Sequence, residues 1–220
     1  MNKVVDIETA LSHVKEGDTI MVGGFMANGS PETLIDYLCD KRVSDLTLIC
    51  NDTAFIDKGI GKMVANKQFS KIVASHIGLN RETGRQMNEK ETEVVLVPQG
   101  TLVEQIRAAG YGLGGFLTPT GIGTLVEENK QKITLDDKEY LLETPLFADV
   151  ALLFASKVDK AGNIVYKGSM NNFNHVMASA AKVTIVEADE IVEVGEIHPN
   201  EVSTPGIFVD YIVKGGHTNE

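Results

Sequence analysis

Val22-Gly23-Gly24-Phe25-Met26-Ala27-Asn28-Gly29-Ser30-Pro31 divides two kinds of sequence. Before it, Asp18-Thr19-Ile20-Met21-Val22 is a short apolar run that predicts a buried strand. After it, Leu34, Ile35 and Leu38 recur at helical spacing and predict an amphipathic helix from Pro31 onward. A glycine loop therefore leads from the carboxyl end of a strand into the amino end of a helix. Ser30 is placed to cap that helix, and Pro31 falls at its first position, where a missing N–H costs nothing. Such a junction presents backbone N–H groups and the positive end of a helix dipole to an anion. It is also where open parallel sheets hold their ligands.

Three more apolar, β-branched runs have strand length: Leu46-Thr47-Leu48-Ile49-Cys50, Lys71-Ile72-Val73-Ala74-Ser75 and Glu93-Val94-Val95-Leu96-Val97. Polar or glycine residues break each run. Thr101-Leu102-Val103-Glu104 has the capping-box pattern and predicts a helix to about Ala109, with Glu104 as a cap. Residues 6–15, with Ile7, Leu11 and Val14 on one face and Asp6 at the start, predict a helix before the first strand. Strand, loop and helix repeated in this way predict an α/β fold, an open and mostly parallel sheet with helices on both faces. Loops after parallel strands share one edge of the sheet. Gly23-Gly24-Phe25, Asn51-Asp52, Ser75-His76 and Pro98-Gln99-Gly100 are thus expected to converge.

A second glycine-rich segment spans residues 110–123 and carries Tyr111, Leu113, Phe116 and Ile122, too apolar for a flexible linker. It reads as an ordered loop closing over the site or a partner, with a mobile crossover as the alternative. Lys132-Ile133-Thr134-Leu135 and Lys138-Glu139-Tyr140-Leu141-Leu142, joined by Asp136-Asp137, predict a small β-hairpin excursion. Later strands are expected at residues 149–154, 164–166, 183–186 and 207–213, a short helix at 174–181, and a frayed tail after Lys214. No internal repeat or domain boundary is evident, so residues 1–220 read as one domain.

The 220 residues are 43% hydrophobic, 23% charged and carry a formal net charge of −11. That charge disfavours nucleic-acid binding and leaves an anionic ligand to local donors. No apolar run suits a membrane span, and Asp6 and Glu8 stand where a leader would be apolar, so a cytoplasmic protein is expected. Cys39 and Cys50 read as small buried hydrophobes with reduced thiols. His13, His76, His175, His198 and His217 are scattered, and no metal site is expected. Gly24 and Gly29-Ser30 have P-loop glycine spacing, but Ser30 stands in place of the lysine and Pro31 in place of the magnesium hydroxyl. No Gly-x-Gly-x-x-Gly follows a strand, and Ser75 is not in a nucleophile elbow. The expected site edge offers donors, namely backbone N–H groups, Asn51 and Gln99, with no evident nucleophile. It reads as half a site. Gln99 is either an oxyanion donor, worth roughly 3 kcal/mol, or a loop amide that satisfies backbone.

Ile20-Met21-Val22-Gly23-Gly24-Phe25-x-x-x-Gly29-x-Pro31 resembles the signature of the alpha (A) subunit of family I coenzyme A transferases. The resemblance covers nearly the whole chain. It includes Asn51-Asp52-Thr53, Ala74-Ser75-His76-Ile77-Gly78, Val97-Pro98-Gln99-Gly100-Thr101, Gly112-Leu113-Gly114-Gly115-Phe116, Asp159-Lys160-Ala161-Gly162-Asn163 and Asn172-Phe173-Asn174. One departure is Glu16 before Gly17, where the signature has Asp or Asn. The resemblance implies transfer of coenzyme A from an acyl-CoA to a free carboxylate such as acetate, acetoacetate or butyrate. A glutamate of a Ser-Glu-Asn-Gly motif attacks the thioester, and that motif lies on a separate beta subunit and is absent here. The resemblance maps the coenzyme A loop onto Gly23, Gly24, Phe25, Met26, Ala27, Asn28 and Gly29, the oxyanion donor onto Gln99, and two alpha with two beta chains onto the assembly. Coenzyme A thioester would be substrate, with no permanently bound cofactor. A sugar-phosphate isomerase of related architecture and a non-catalytic coenzyme A-binding module are the alternatives.

Overall fold

The computed structural model describes residues 2–216. Its elements in chain order are α1 (Ile7–Leu11), β1 (Thr19–Val22), α2 (Glu32–Lys41), β2 (Leu46–Asp52), α3 (Gly61–Ala65), β3 (Phe69–His76), α4 (Arg81–Asn88), β4 (Glu93–Leu96), α5 (Gln99–Gly110), β5 (Phe116–Thr118), β6 (Lys132–Leu135), β7 (Lys138–Glu143), β8 (Ala148–Asp159), β9 (Ile164–Val165), α6 (Asn174–Met177), β10 (Ala181–Val192) and β11 (Tyr211–Lys214). The main sheet runs β11-β10-β8-β1-β2-β3-β4 with every neighbouring pair parallel, and β9 pairs antiparallel with β8. From β1 the chain winds outward through β2, β3 and β4. It then returns and winds the other way through β8, β10 and β11. The winding direction therefore reverses between β1 and β8.

Adjacent residues of a strand face opposite sides. Ile20, Leu48 and Ile72 accordingly pack with Leu34, Ile35, Leu38, Met63 and Val64 of α2 and α3. Met21, Ile49 and Leu153 pack with Leu102 and Ile106 of α5 and Val176 and Met177 of α6. Both faces of the inner strands are buried, which is why their sequences are continuously apolar, whereas the edge strand β4 leaves Leu96 49% exposed. Each such side chain contributes about 1.5–3 kcal/mol through burial. No helix among the described residues is long and apolar enough to cross a membrane.

The local signals were less reliable than the sheet pattern. The helix expected over residues 6–15 is only Ile7–Leu11, though Asp6 does cap it, accepting from Thr9 N–H at 2.7 Å. Ser30 does not cap α2. Pro31 takes the N-cap position with no side-chain cap, while the Ser30 hydroxyl donates to Gly23 O at 3.4 Å. Residues 101–104 form no capping box either. Helix α5 already begins at Gln99 after Pro98, the Thr101 hydroxyl is buried without a partner, and Glu104 pairs with Arg107 at 3.1 Å.

The glycine-rich segment contributes β5, so the predicted hairpin becomes a three-stranded β5-β7-β6 sheet. Its β6–β7 turn has Asp136 and Asp137 at φ 48° and 61°, the left-handed pair of a tight hairpin. Tyr111 and Leu113 stand exposed beyond the carboxyl end of α5. That is roughly 17 Å along the helix from Gln99, so the start of this segment does not close over the loop edge of its own sheet. The last strand begins at Tyr211, after a 3-10 turn at Gly206–Phe208. Of the tail expected to fray, residues 217–220 lie outside the described residues. Gly215 and Gly216 N–H groups are held by Ala188 O (2.9 Å) and Thr33 Oγ1 (3.0 Å).

Candidate active site

Reversal of winding between β1 and β8 puts a topological switch point at the carboxyl end of β1, beside the middle of the longer β8. Gly23 N–H donates across it to Leu152 O at 3.0 Å. The four expected loops meet there. Asn51, near the end of β2, is 1% exposed and links three segments. Its Oδ1 accepts from Gln99 Nε2 (2.9 Å) and Ser75 Oγ (2.7 Å), and its Nδ2 donates to Asn172 Oδ1 (2.9 Å). Asp52 reaches the glycine loop, accepting Met26 N–H at 3.1 Å on one oxygen and Ala54 N–H at 3.1 Å on the other.

Gln99 is exposed at the mouth of this cluster. One of its amide N–H groups is held by Asn51, a side chain rather than backbone. The other is unengaged among the described residues. Asn51 was expected among the donors of the site edge. It sits behind Gln99 with both ends of its carboxamide engaged, so it orients the exposed donor.

The glycine loop is shaped by its own packing. A Cβ on Gly23 would lie 1.8 Å from Asn174 Oδ1, and one on Gly24, at φ 111°, 2.2 Å from Ser30 Oγ. Asn174, fully buried on α6, accepts from Phe154 N–H (3.1 Å) and donates to Gly29 O (3.0 Å) and Met170 O (2.8 Å). Asn174 thus fastens the Gly29 end of the loop to β8, while the Gly23 end is held there by its own N–H on Leu152 O. At the tip, Met26 and Ala27 have φ 52° and 65°. A non-glycine residue pays about 1–2 kcal/mol for that conformation. Reciprocal bonds between Phe25 and Asn28 (3.0 and 2.9 Å) and the Asp52 bond hold it. Asn28 Nδ2 also donates to Ser169 Oγ at 2.8 Å. Among the described residues, the N–H groups of Gly24, Ala27 and Gly29 find no acceptor within the chain.

The amino end of α2 is not open to a ligand. Glu187 of β10, fully buried, accepts from Thr33 N–H (2.8 Å), Leu34 N–H (3.1 Å) and Thr33 Oγ1 (2.8 Å). A protein carboxylate therefore occupies the dipole site that the sequence suggested for an anion. Burial raises the Asp52 carboxyl above its ordinary range, offset in part by the Met26 and Ala54 N–H donors and by His76. Burial, reinforced by Asp52, also pushes the Cys50 thiol well up, so Cys50 is an inert core residue.

Sequence reasoning assigned no role to Asn172, Asn174, Ser169 or Glu187. Each comes from the second half of the chain. The one signal was the pair of asparagines flanking Phe173, two polar residues around an apolar one at the mouth of a short helix.

The chain is thus a doubly wound α/β protein with a glycine loop and a carboxamide oriented by a side chain at its switch point. The coenzyme A transferase family model matches residues 4–215, and the chain belongs to that family. It is 54% identical to acetate CoA-transferase subunit alpha of Escherichia coli strain K12, over 96% of each chain. It is 51% identical to the acetoacetyl-CoA:acetate/butyrate CoA transferase alpha subunit of Clostridium acetobutylicum, over 97% of this chain and 98% of that one. Its fold superposes with a TM-score of 0.90 on an acyl-CoA transferase from E. coli O157:H7, solved as a thioester complex with CoA, at 22% identity over 99% of this chain. The chain spans 48% of that longer protein.

Proposed function

We propose that this chain is the alpha subunit of a short-chain acyl-CoA:carboxylate CoA-transferase of the acetate, acetoacetate or butyrate class. Near-full-length identity to the acetate and acetoacetyl-CoA transferase alpha subunits carries this reading. The isomerase alternative has no comparable support. The site adds a chemical reason. A carboxylate attacking a thioester turns the carbonyl oxygen into an oxyanion, which a preorganised amide donor stabilises. Gln99 is such a donor, exposed and aimed by Asn51. The buried carboxylates packed against the loops, Asp52 and Glu187, are held by backbone N–H groups. They are poorly placed to act as nucleophiles.

The attacking glutamate then belongs to a beta subunit, with two alpha and two beta chains in the assembly. Residues 23–29 form the wall for coenzyme A, with the N–H groups of Gly24, Ala27 and Gly29 as donors. Coenzyme A thioester is substrate rather than resident cofactor. Co-expression with a beta subunit bearing Ser-Glu-Asn-Gly, followed by assay of acetoacetyl-CoA with acetate, tests the proposal. Turnover is expected from the complex and none from the chain alone. Turnover by the pure chain, or an inactive but assembled complex, overturns it.

A further inference from the structure

The loop after β2 repeats the loop after β1. Residues 24–29 read Gly-Phe-Met-Ala-Asn-Gly, and residues 54–59 read Ala-Phe-Ile-Asp-Lys-Gly. Each is entered through a left-handed residue, Gly24 (φ 111°) or Ala54 (φ 49°), and left through a left-handed glycine, Gly29 (74°) or Gly59 (58°). Each closes on itself by an antiparallel bridge, Phe25 with Asn28 or Phe55 with Lys58. Each lifts an apolar tip into solvent, with Met26 45% and Ile56 46% exposed. A Cβ built on Gly59 would lie 3.3 Å from the Ala27 Cβ, so the loops stand side by side.

Asp52 is the only side chain among the described residues that hydrogen-bonds backbone of both loops. It stands at the end of β2, 3% exposed, and gives a separate oxygen to each, Met26 N–H in the first and Ala54 N–H in the second. His76 faces it in register from β3, and the Cys50 thiol lies two residues before it on its own strand. The carboxylate has no path to a ligand of its own. Its effect must pass through the Met26 tip, whose left-handed backbone needs outside support.

We propose that Asp52 is a positioning residue that locks the loops of residues 24–29 and 54–59 into one two-loop wall for the coenzyme A portion of the substrate. This rests on the reading of residues 23–29 as the coenzyme A loop, and the experiment separates the two. In the alpha–beta complex, kcat and the KM values for acyl-CoA and for free carboxylate are measured for Asp52→Ala, Asp52→Asn and Met26→Glu.

Met26→Glu places a negative charge on the exposed tip and reports on the loop itself. Asp52→Ala is expected to raise the acyl-CoA KM about ten-fold, the scale of one lost charge-assisted hydrogen bond. Its kcat and carboxylate KM should stay within about two-fold, the pattern of lost uniform binding. Asp52→Asn keeps the shape and one acceptor and should raise the acyl-CoA KM by less. An unchanged acyl-CoA KM in Asp52→Ala, with a raised one in Met26→Glu, overturns the role of Asp52 and leaves the loop reading intact. Unchanged values in both overturn both. A fall in kcat at constant KM makes Asp52 merely structural and overturns the proposal. If Asp52→Ala fails to assemble, Asp52→Asn decides on the same criterion.

Discussion

The Gln99–Asn51 pair lends itself to a double-mutant cycle. Gln99→Ala deletes the exposed donor, and loss of one oxyanion donor costs about 2.7–4 kcal/mol, or a 10²–10³-fold fall in kcat. Asn51→Ala leaves the donor but removes the 2.9 Å bond that aims it. One neutral hydrogen bond is worth about 1 kcal/mol, and lost orientation adds to that, so a fall of about 5–30-fold in kcat is expected. Asn51 has both ends of its carboxamide engaged and 1% exposure, so it has no separate route to substrate. The double variant should then be no slower than Gln99→Ala alone, giving a coupling energy of about 1–2 kcal/mol. The assay is steady-state turnover of acetoacetyl-CoA with acetate by the assembled complex at saturating concentrations of both. Circular dichroism and gel filtration confirm that each variant is folded and assembled. Strict additivity, with the double variant slower by the full Asn51→Ala factor, would refute the orienting role. A Gln99→Ala enzyme with unchanged kcat would refute the donor itself.

Glu187→Ala leaves the part-buried donor of Thr33 and the buried donor of Leu34 without that acceptor and strips α2 of its cap, so urea unfolding should show a loss of about 3–5 kcal/mol. A loss below about 1 kcal/mol would mean that water replaces the carboxylate. In the cluster around Arg85, the guanidinium holds Glu82 and Glu91 at about 2 each, below the 4.5 of a free glutamate. A depressed folded-state value contributes stability above the free value, and that stability is lost as pH falls through about 2. The Tm of Glu82→Gln/Glu91→Gln should therefore fall less steeply than wild type on the acid side, and parallel curves would contradict this. Asp136→Asn/Asp137→Gly supplies residues suited to two left-handed turn positions and should stabilise by about 0.4–1 kcal/mol, read as a rise in Tm.

The parallel sheet and its convergent loops were legible because burial on both faces imposes a pattern that no local choice can hide. Ile20 and Met21, or Leu48 and Ile49, are adjacent in sequence yet belong to opposite cores, so every residue of the run must be apolar. The polar breaks after those runs then located the site edge, including Asn51 and Gln99. Helix ends were not legible in the same way. Ser30 has the chemistry of a cap, but the cap is Glu187, 154 residues beyond Thr33. Thr101 and Glu104 match a capping box, yet Pro98 starts the helix earlier and carries both residues into its interior. Such signals are satisfied by whichever partner the tertiary fold brings nearest. The second half of the site was hidden for the same reason. Asn172 and Asn174 matter only because residues 168–174 fold back over the middle of β8, at Phe154 and Ser156, and nothing in a six-residue window reveals that.

Glu187 also changes what the glycine loop can do. A helix amino terminus carries about half a positive charge, the usual reason that such a loop attracts phosphate. Here a buried carboxylate already neutralises it, in a chain whose net charge is −11. Long-range attraction for a polyanionic substrate therefore cannot come from α2. What the loop retains is short-range and directional: the N–H groups of Gly24, Ala27 and Gly29, unpaired among the described residues, in a loop whose tip is held left-handed by Asp52 and whose Gly29 end is anchored by Asn174. Directional donors of this kind discriminate by position more than by charge, which suits a wall whose task is to register a thioester against a nucleophile on another chain. On this argument the acyl-CoA KM should respond more strongly to displacement of the Met26 tip than to surface charge reversal elsewhere on the chain.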